Sequence, residues 1–509
     1  MDISIGKFTL ESLTTGMYNE PETCYREYIQ NAVDSIDSAV EQGILSVSDS
    51  RIEIIVDDEH QTISIKDNGC GIKRDFAAKT LLDIGNSTKT HTVNRGFRGI
   101  GRLGGLSYCR KLSFCTSALG DNTKTIVTFD CESLRLLLIP GQNDDYTLQS
   151  VIERVTTITE LDEQESAHYF IVKMDGVDDI ETLLNIDMVK DYVCQVAPLP
   201  FTDRFFWGKQ INKTLLEHEI PINEYPIFIG SDFESLKQIY KPYRLTLDVS
   251  SRTTIGKDEI YGLSFFEIES ECGIIAYGWY ADTDYLGTLA DDRVSGIRIR
   301  VGNILIGSGK TLSPYFKESR FNNWVIGELY IISQQMIPNA RRDDFERNDI
   351  FAEFERGVRS TVGSDVSEKI RKASKERNNP SQKSIKKAEK EIAKVERILT
   401  TGFNSTYEKE QIADNLETLK KEVRAISKNA GNEIVQKKTD LLARLDDLKT
   451  EVDESSNYKT KSDITSDFSK SEKKIVQAML EVLTRSFERE TVDSLYQEFL
   501  AEIKVKGKK

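Results

Sequence analysis

Glu27, Asn31, Asp34 and Ser35 follow one another at spacings of four, three and one in the stretch REYIQNAVDSID, Arg26 to Asp37. On a helix these spacings gather a carboxylate, an amide, a second carboxylate and a hydroxyl, while Tyr25, Ile29, Ala32, Val33 and Ile36 form the opposite, apolar side. Either the row serves chemistry that uses oxygen donors, or it is the solvated face of an amphipathic helix.

Two further stretches carry chemical potential. ISIKDNGCGIKRD, from Ile63, puts Asp67 at the end of an alternating strand and follows it with Gly69 and Gly71. A carboxylate there, beside two glycines, lets a flat ligand approach the backbone while the acid accepts from an exocyclic amine; an ordinary D-N-G hairpin turn reads the same way. NRGFRGIGRLGGLSYC then holds five glycines from Gly96 to Gly105 with Arg98 and Arg102 among them. Glycine-rich backbone at a helix start offers unobstructed N–H groups and a positive dipole end to phosphates, and a flexible surface loop is the other reading. GSGKT at 307–311 is not a P-loop, because Ile304 stands where that pattern needs glycine.

The elements that must position these residues are legible as patterns. RIEIIVDD, QTISIKDN, CRKLSFCTSA, TKTIVTFD and HYFIVKMDGV read as strands, and with the helix after Pro21 they predict an α+β domain whose sheet carries helices on one face. DEIYGLSFFEI, GIIAYGWYA, SGIRIRVGNILIG and NWVIGELYII predict strands of a second α/β domain. Near 360 aromatics and glycines thin out. Ile385, Ala388, Ile392, Val395 and Leu399, then Ile412, Leu416, Leu419, Val423 and Ile426, repeat as a/d seams broken at TTGFN and KNAGN, which predicts antiparallel helical hairpins. IVQAMLEVLTRSFERETVDSLYQEFLAEI reads as one further helix whose apolar stripe needs a partner.

At 509 residues the chain is multidomain, with 39% hydrophobic and 30% charged residues and a mean hydropathy of -0.41. The net charge of -15 disfavours a surface that tracks nucleic acid throughout. Seven scattered cysteines without a C-x-x-C pair and four dispersed histidines predict reduced thiols and no His-rich metal site, so any metal is expected on oxygen. No apolar run spans a bilayer and the N-terminus lacks a signal peptide's pattern, which predicts a soluble, cytoplasmic protein without membrane association.

Taken in order, the three motifs between residues 27 and 105 resemble those of the GHKL superfamily. These are the Bergerat-fold ATPases that include gyrase B, the ninety-kilodalton heat-shock chaperones, sensor histidine kinases, MutL and the MORC proteins. The resemblance covers roughly residues 8–180. It implies a Bergerat ATP-binding α/β sandwich over 1–185 and a transducer-like α/β domain over 186–360, and with the helical patterns beyond 360 the expected architecture is α+β, with a coiled-coil helical region over 361–455 and a C-terminal helical segment over 456–509.

Carried over residue by residue, the resemblance implies that Glu27 is the general base that orients and deprotonates the attacking water and that Asn31 is the protein ligand of Mg²⁺. Asp34 and Ser35 would lie near the nucleotide and Asp67 would read the adenine amino group. Gly69, Gly71 and Ile72 would border the base, Ile72 standing where some relatives carry Met. Gly99, Gly101, Arg102, Leu103, Gly104 and Gly105 would wrap the phosphates of ATP, and Ser87, Thr88 and Lys89 match the start of a lid. The family's late Gly-Thr dipeptide is missing, with Tyr169 and Phe170 near its place. A basic residue of the transducer domain would reach the γ-phosphate, the candidates being Arg342 or Arg341 and then Lys310; pairing of the two arginines with Asp343, Asp344 and Glu346 on a surface turn is the alternative.

The GIGRLGGL variant resembles the chaperone-like and MORC-like bacterial branch, and no histidine is placed as in a sensor kinase. The implied protein is an ATP-driven conformational switch that forms a homodimer and hydrolyses slowly. It would act on a protein partner or effector in a defence or stress system, or on DNA through residues 369–397, where eleven Lys or Arg face four Glu. Binding ATP as a structural ligand without turnover is the remaining alternative.

Overall fold

The structure, a computed structural model, describes residues 5–13, 20–85, 99–142, 145–220, 222–250, 255–271, 273–377, 380–403, 406–426, 432–458, 469, 472, 475–476, 478–480, 482–483 and 489–506. These fall into two units, residues 1–282 with 287–367 and residues 283–286 with 368–509.

In the first unit the short helix α1 (Phe8–Leu13) precedes α2 (Thr23–Glu41). Tyr25, Ile29, Ala32, Val33 and Ile36 of α2 are buried as the spacing predicts, each of the larger ones worth about 1.5–3 kcal/mol, and Gly43, at a φ of +69°, takes the left-handed turn that ends the helix. The sheet beneath runs β5-β4-β3-β6-β2-β1-β7-β8. Its strands are β1 (Ile52–Asp57), β2 (Thr62–Asp67), β3 (Lys111–Ser117), β4 (Thr123–Asp130), β5 (Thr156–Asp162), β6 (Tyr169–Asp175), β7 (Ile227–Gly230) and β8 (Lys237–Gln238). Buried and half-buried residues alternate along β1 and β2, so one face forms the core. The helices α3 (Arg74–Leu82), α4 (Cys131–Leu137), α5 (Leu148–Val155), α6 (Ile186–Val196) and α7 (Trp207–Glu217) complete this part.

Two features differ from the sequence patterns. β5 carried no alternation because six of its seven residues are exposed on the sheet edge. The sheet also continues past residue 185, because β7 pairs in parallel with β1, Ile52 opposite Ile227. Such pairing across 175 residues has no local signature.

The remainder of the unit holds a three-stranded sheet of β9 (Thr246–Ser250), β10 (Ile255–Glu259) and β13 (Thr288–Leu289). Beside it lies a five-stranded sheet of β11 (Gly262–Ser270), β12 (Gly273–Asp282), β14 (Gly296–Val301), β15 (Ile304–Ile306) and β16 (Ile326–Ile331), followed by α8 (Asp349–Ser360) and, up to residue 367, the start of α9 (Val362–Arg377). The pattern DEIYGLSFFEI, expected as one strand, divides between both sheets: Ile260 donates its N–H to Leu245 and Tyr261 donates to Asp282.

Within this part Glu328, fully buried, accepts from Lys241 Nζ at 2.7 Å, from Tyr243 at 3.1 Å, and from Arg300 and Tyr330. Burial alone would raise the Glu328 carboxyl, but Arg300 and Lys241 outweigh it and hold it down to about 2. Burial lowers Lys241 to about 8 against the pull of Glu328. Arg300 also donates to Gln195 O at 3.1 Å, tying the five-stranded sheet to the end of α6.

In the second unit α10 (Pro380–Thr401), α11 (Thr406–Arg424) and α12 (Asn432–Glu454) share one core containing Ile385, Ile392, Leu416, Val423, Leu445 and Leu448. Lys387 meets Glu422 and Asn415 meets Glu391, so α10 and α11 are antiparallel; Lys420 meets Asp446 and Lys449 meets Glu417, so α12 reverses again. The stretch expected as one last helix folds back instead. Val476 and Leu480 pack with Val492 and Tyr496 of the helix Arg489–Lys506, a contact that a continuous helix rising about 1.5 Å per residue forbids.

Candidate active site

α2, the end of β2 and the glycine-rich turn meet on the core face of the eight-stranded sheet. Glu27 and Asp34 of α2 are buried, 6% and 3% exposed, and Asn31 and Ser35 are half-buried beside them. This side of the helix faces protein, not solvent.

The D-N-G turn docks directly on α2. Cys70 donates its N–H to Ser35 O at 3.2 Å, and a Cβ on Gly69 would lie 2.2 Å from Ser35 Oγ and 2.6 Å from its carbonyl carbon. Gly71 takes a φ of +62° and approaches Ser117 so closely that a Cβ would meet its carbonyl oxygen at 1.9 Å. Asp67, 3% exposed, accepts from Gly69 N–H at 2.9 Å. Ile72 donates its N–H to Thr116 Oγ1 at 2.8 Å, and Thr116 in turn donates to Tyr169 O at 3.1 Å.

The glycine-rich segment forms a 3₁₀ helix, Gly101–Ser107, and not the start of an α-helix. Gly99, at a φ of +71°, precedes it. Leu103, Gly104 and Gly105 are buried. Gly101 passes so near α2 that a Cβ would lie 2.2 Å from Glu27 Oε2. Tyr28 staples the two: Gly105 N–H donates to its hydroxyl at 2.9 Å, and the hydroxyl donates to Arg102 O at 3.2 Å. Arg102 Nη2 donates to Asp83 O, and burial lowers its guanidinium pKa. Ser87, Thr88, Lys89 and Arg98 lie outside the described residues.

The turn after β16 brings a cation to the same place. Arg342, 8% exposed, has its Nε 3.3 Å from Glu27 Oε1. Arg341 is exposed and gives its carbonyl to Arg26 Nη2 at 2.8 Å. Lys310 is exposed on the neighbouring loop, which hydrogen-bonds to this turn through Gly307 N–H and Arg342 O at 2.9 Å. Of the three basic candidates, Arg342 is therefore the residue whose side chain meets the motif helix.

The residues present fit a nucleotide. Glu27 Oε1, Gln30 Oε1, Arg26 Nε and Arg102 Nε are buried without a hydrogen-bond partner among the described residues, Glu27 Oε1 being met only by the charges of Arg342 and Arg26, and buried polar groups left so are costly unless a ligand supplies the hydrogen bond. No group of three or more His, Cys, Asp or Glu side chains that could hold a metal occurs among the described residues. A magnesium ion would depend on Asn31 together with phosphate and water oxygens.

Several contributors escaped the sequence reading. His168 Nδ1 lies 3.1 Å from Asn68 O and 2.9 Å from Gly69 O; since both are acceptors, Nδ1 carries the proton and clamps the D-N-G turn. Only the β2–β6 register, Asp67 opposite Phe170, sets Gly69 beside His168. Thr116 and Tyr28 were likewise invisible as site residues, their roles arising from contacts between distant segments.

Residues 18–166 match the family model described as histidine kinase-, DNA gyrase B-, and HSP90-like ATPase. The chain is also 30% identical over 84 residues to Chaperone protein HtpG of Mycolicibacterium gilvum, covering 15% of this chain and 13% of the relative. It is 35% identical over 95 residues to Chaperone protein HtpG of Campylobacter jejuni, covering 17% and 15%. The chain thus spans only 13–15% of the length of these curated relatives.

Proposed function

We propose that this chain, whose residues 18–166 form a GHKL-type ATPase domain, is a Mg²⁺-dependent ATPase that works as a slow conformational switch. The observation that carries the reading is Glu27: a carboxylate 6% exposed, packed on Gly101 of the glycine turn and 3.3 Å from an arginine of a later segment. Phosphoryl transfer to water needs a positioned base and cations near the transferred group more than it needs covalent help.

In this reading Glu27 orients the attacking water and accepts its proton, and Asn31 offers its amide oxygen to the metal. Asp67, held by Gly69 N–H and the His168 clamp, accepts from the adenine amino group. The turn from Gly99 to Gly105 wraps the phosphates, with the N–H groups at its start left to them because Gly105 N–H is taken by Tyr28, and Arg342 places a guanidinium beside them. Bound Mg²⁺ would neutralise phosphate charge. Ser87, Thr88 and Lys89 belong to the lid of this proposal.

The four-part organisation is proposed with it, residues 227–238 going with the ATP-binding part because β7 pairs with β1. The middle part then acts as a transducer and the helical parts serve homodimerisation or a protein partner in a defence or stress system. The basic run favours a protein partner over DNA: Lys386 and Lys390 pair with Asp284, Lys387 with Glu422 and Lys394 with Glu391. Salt-dependent DNA binding lost on neutralising 369–397 would favour the DNA reading instead. Among the described residues no helix is long and apolar enough to cross a membrane.

The test is ATP turnover by the wild type beside Glu27→Ala. Loss of turnover with ATP binding retained is the expected result, whereas equal rates would remove Glu27 as the base. Turnover absent in both, with ATP bound by both, would favour a structural nucleotide.

A further inference from the structure

Glu27 and Arg342 already engage each other. Their side chains are 7% and 9% exposed, and the 3.3 Å separation falls on the carboxylate oxygen, Oε1, that makes no hydrogen bond among the described residues. Arg26 Nε approaches the same oxygen at 3.7 Å. The other oxygen faces Gly101, where a Cβ would lie 2.2 Å away. The carboxylate is enclosed by two guanidinium groups and the glycine turn.

Arg342 is held there by its backbone as well as by charge. Its N–H donates to Asn339 O at 3.2 Å, its carbonyl accepts from Gly307 N–H at 2.9 Å, and Arg26 grips the preceding carbonyl at 2.8 Å. Its φ of +57° lies in the left-handed region, which a residue with a long side chain occupies when its surroundings impose it. Residues held in such conformations cluster at active sites, ligand clamps and switch segments.

We propose that the Glu27–Arg342 ion pair is an interlock that couples release of the base to arrival of the terminal phosphate. An oxygen occupied by a guanidinium cannot also orient a water from that side, and a guanidinium spent on Glu27 is withheld from phosphate. A terminal phosphoryl group, with more charge than a carboxylate and paired oxygens that match the guanidinium fork, takes Arg342 over. That exchange frees Glu27 and supplies the cation in one movement. ADP lacks the competing group and leaves the pair closed. The interlock rests on the nucleotide-site reading given above and adds to it a selection between ATP and ADP.

Calorimetric titration of the full chain with ADP and with the β,γ-imido analogue of ATP separates the two ideas. Neutral Glu27→Gln loosens the pair, so analogue affinity should rise about tenfold while ADP affinity, which also reports an intact site, stays constant. In an Arg342→Ala background the same change should have no effect. A Glu27→Gln effect that is absent, equal for both nucleotides or undiminished without Arg342 overturns the interlock and leaves the nucleotide site standing. A wild type that binds neither nucleotide overturns both.

Discussion

Tyr28 and Gly105, 77 positions apart, are joined by one hydrogen bond, Gly105 N–H to the Tyr28 hydroxyl at 2.9 Å, and that hydroxyl donates onward to Arg102 O at 3.2 Å. One phenol thereby sets the distance between the helix bearing Glu27 and the turn proposed to hold phosphates. Tyr28→Phe leaves a buried N–H without its acceptor, at a cost of about 2 kcal/mol. We expect a lower Tm together with weaker nucleotide binding; a variant with unaltered nucleotide affinity would show that the staple serves folding alone.

His168 is expected to act on binding and not on the chemical step. Its protonated Nδ1 holds two consecutive carbonyls beside Asp67, the proposed adenine reader, and makes no contact with Glu27 in those bonds. His168→Ala should raise the KM for ATP about tenfold while kcat changes less than twofold, and His168→Gln, which keeps a donor, should recover part of the loss. Steady-state kinetics of the three proteins checks this, and a fall in kcat at constant KM would place His168 elsewhere in the mechanism.

Gly69 tests the docking of the D-N-G turn on α2. Gly69→Ala puts a Cβ 2.2 Å from Ser35 Oγ and 2.6 Å from the Ser35 carbonyl carbon, so removing the hydroxyl does not remove the clash. ATP binding should be abolished in Gly69→Ala and remain absent in Gly69→Ala/Ser35→Gly, with the circular dichroism of both like the wild type. Recovery in the double variant would mean that the backbone contact is softer than its geometry implies.

The buried Glu328 network is expected to contribute to acid sensitivity. Because Arg300 and Lys241 overcome burial and hold Glu328 down to about 2 from its ordinary 4.5, its contribution is complete above pH 4.5 and is lost as pH falls toward 2. The span corresponds to about 3 kcal/mol. Denaturation of the wild type over that window should be steeper with pH than that of Glu328→Gln. Lys241→Met, which leaves a buried carboxylate short of a partner, should cost about 3–5 kcal/mol at neutral pH. Parallel pH profiles for wild type and Glu328→Gln would remove Glu328 as the titrating group.

The sequence by itself determined the local elements and the motif residues they carry. Apolar spacing in α2 marked the side that joins the core and not the burial of the polar side opposite, period-two alternation marked β1 to β4, and Glu27, Asn31, Asp67 and the glycines stood in an order that resembles an ATPase domain. These signals are local, since helix period, strand period and glycine permissiveness act within a few residues. What only the tertiary structure decided depends on segments far apart in the chain. The β2–β6 register set His168 against Gly69, β7 extended a sheet whose domain was expected to end near 185, and the turn after β16 brought Arg342 to Glu27. An amphipathic pattern specifies that a face is buried and leaves open against what; that partner is selected by packing and backbone register across the whole fold.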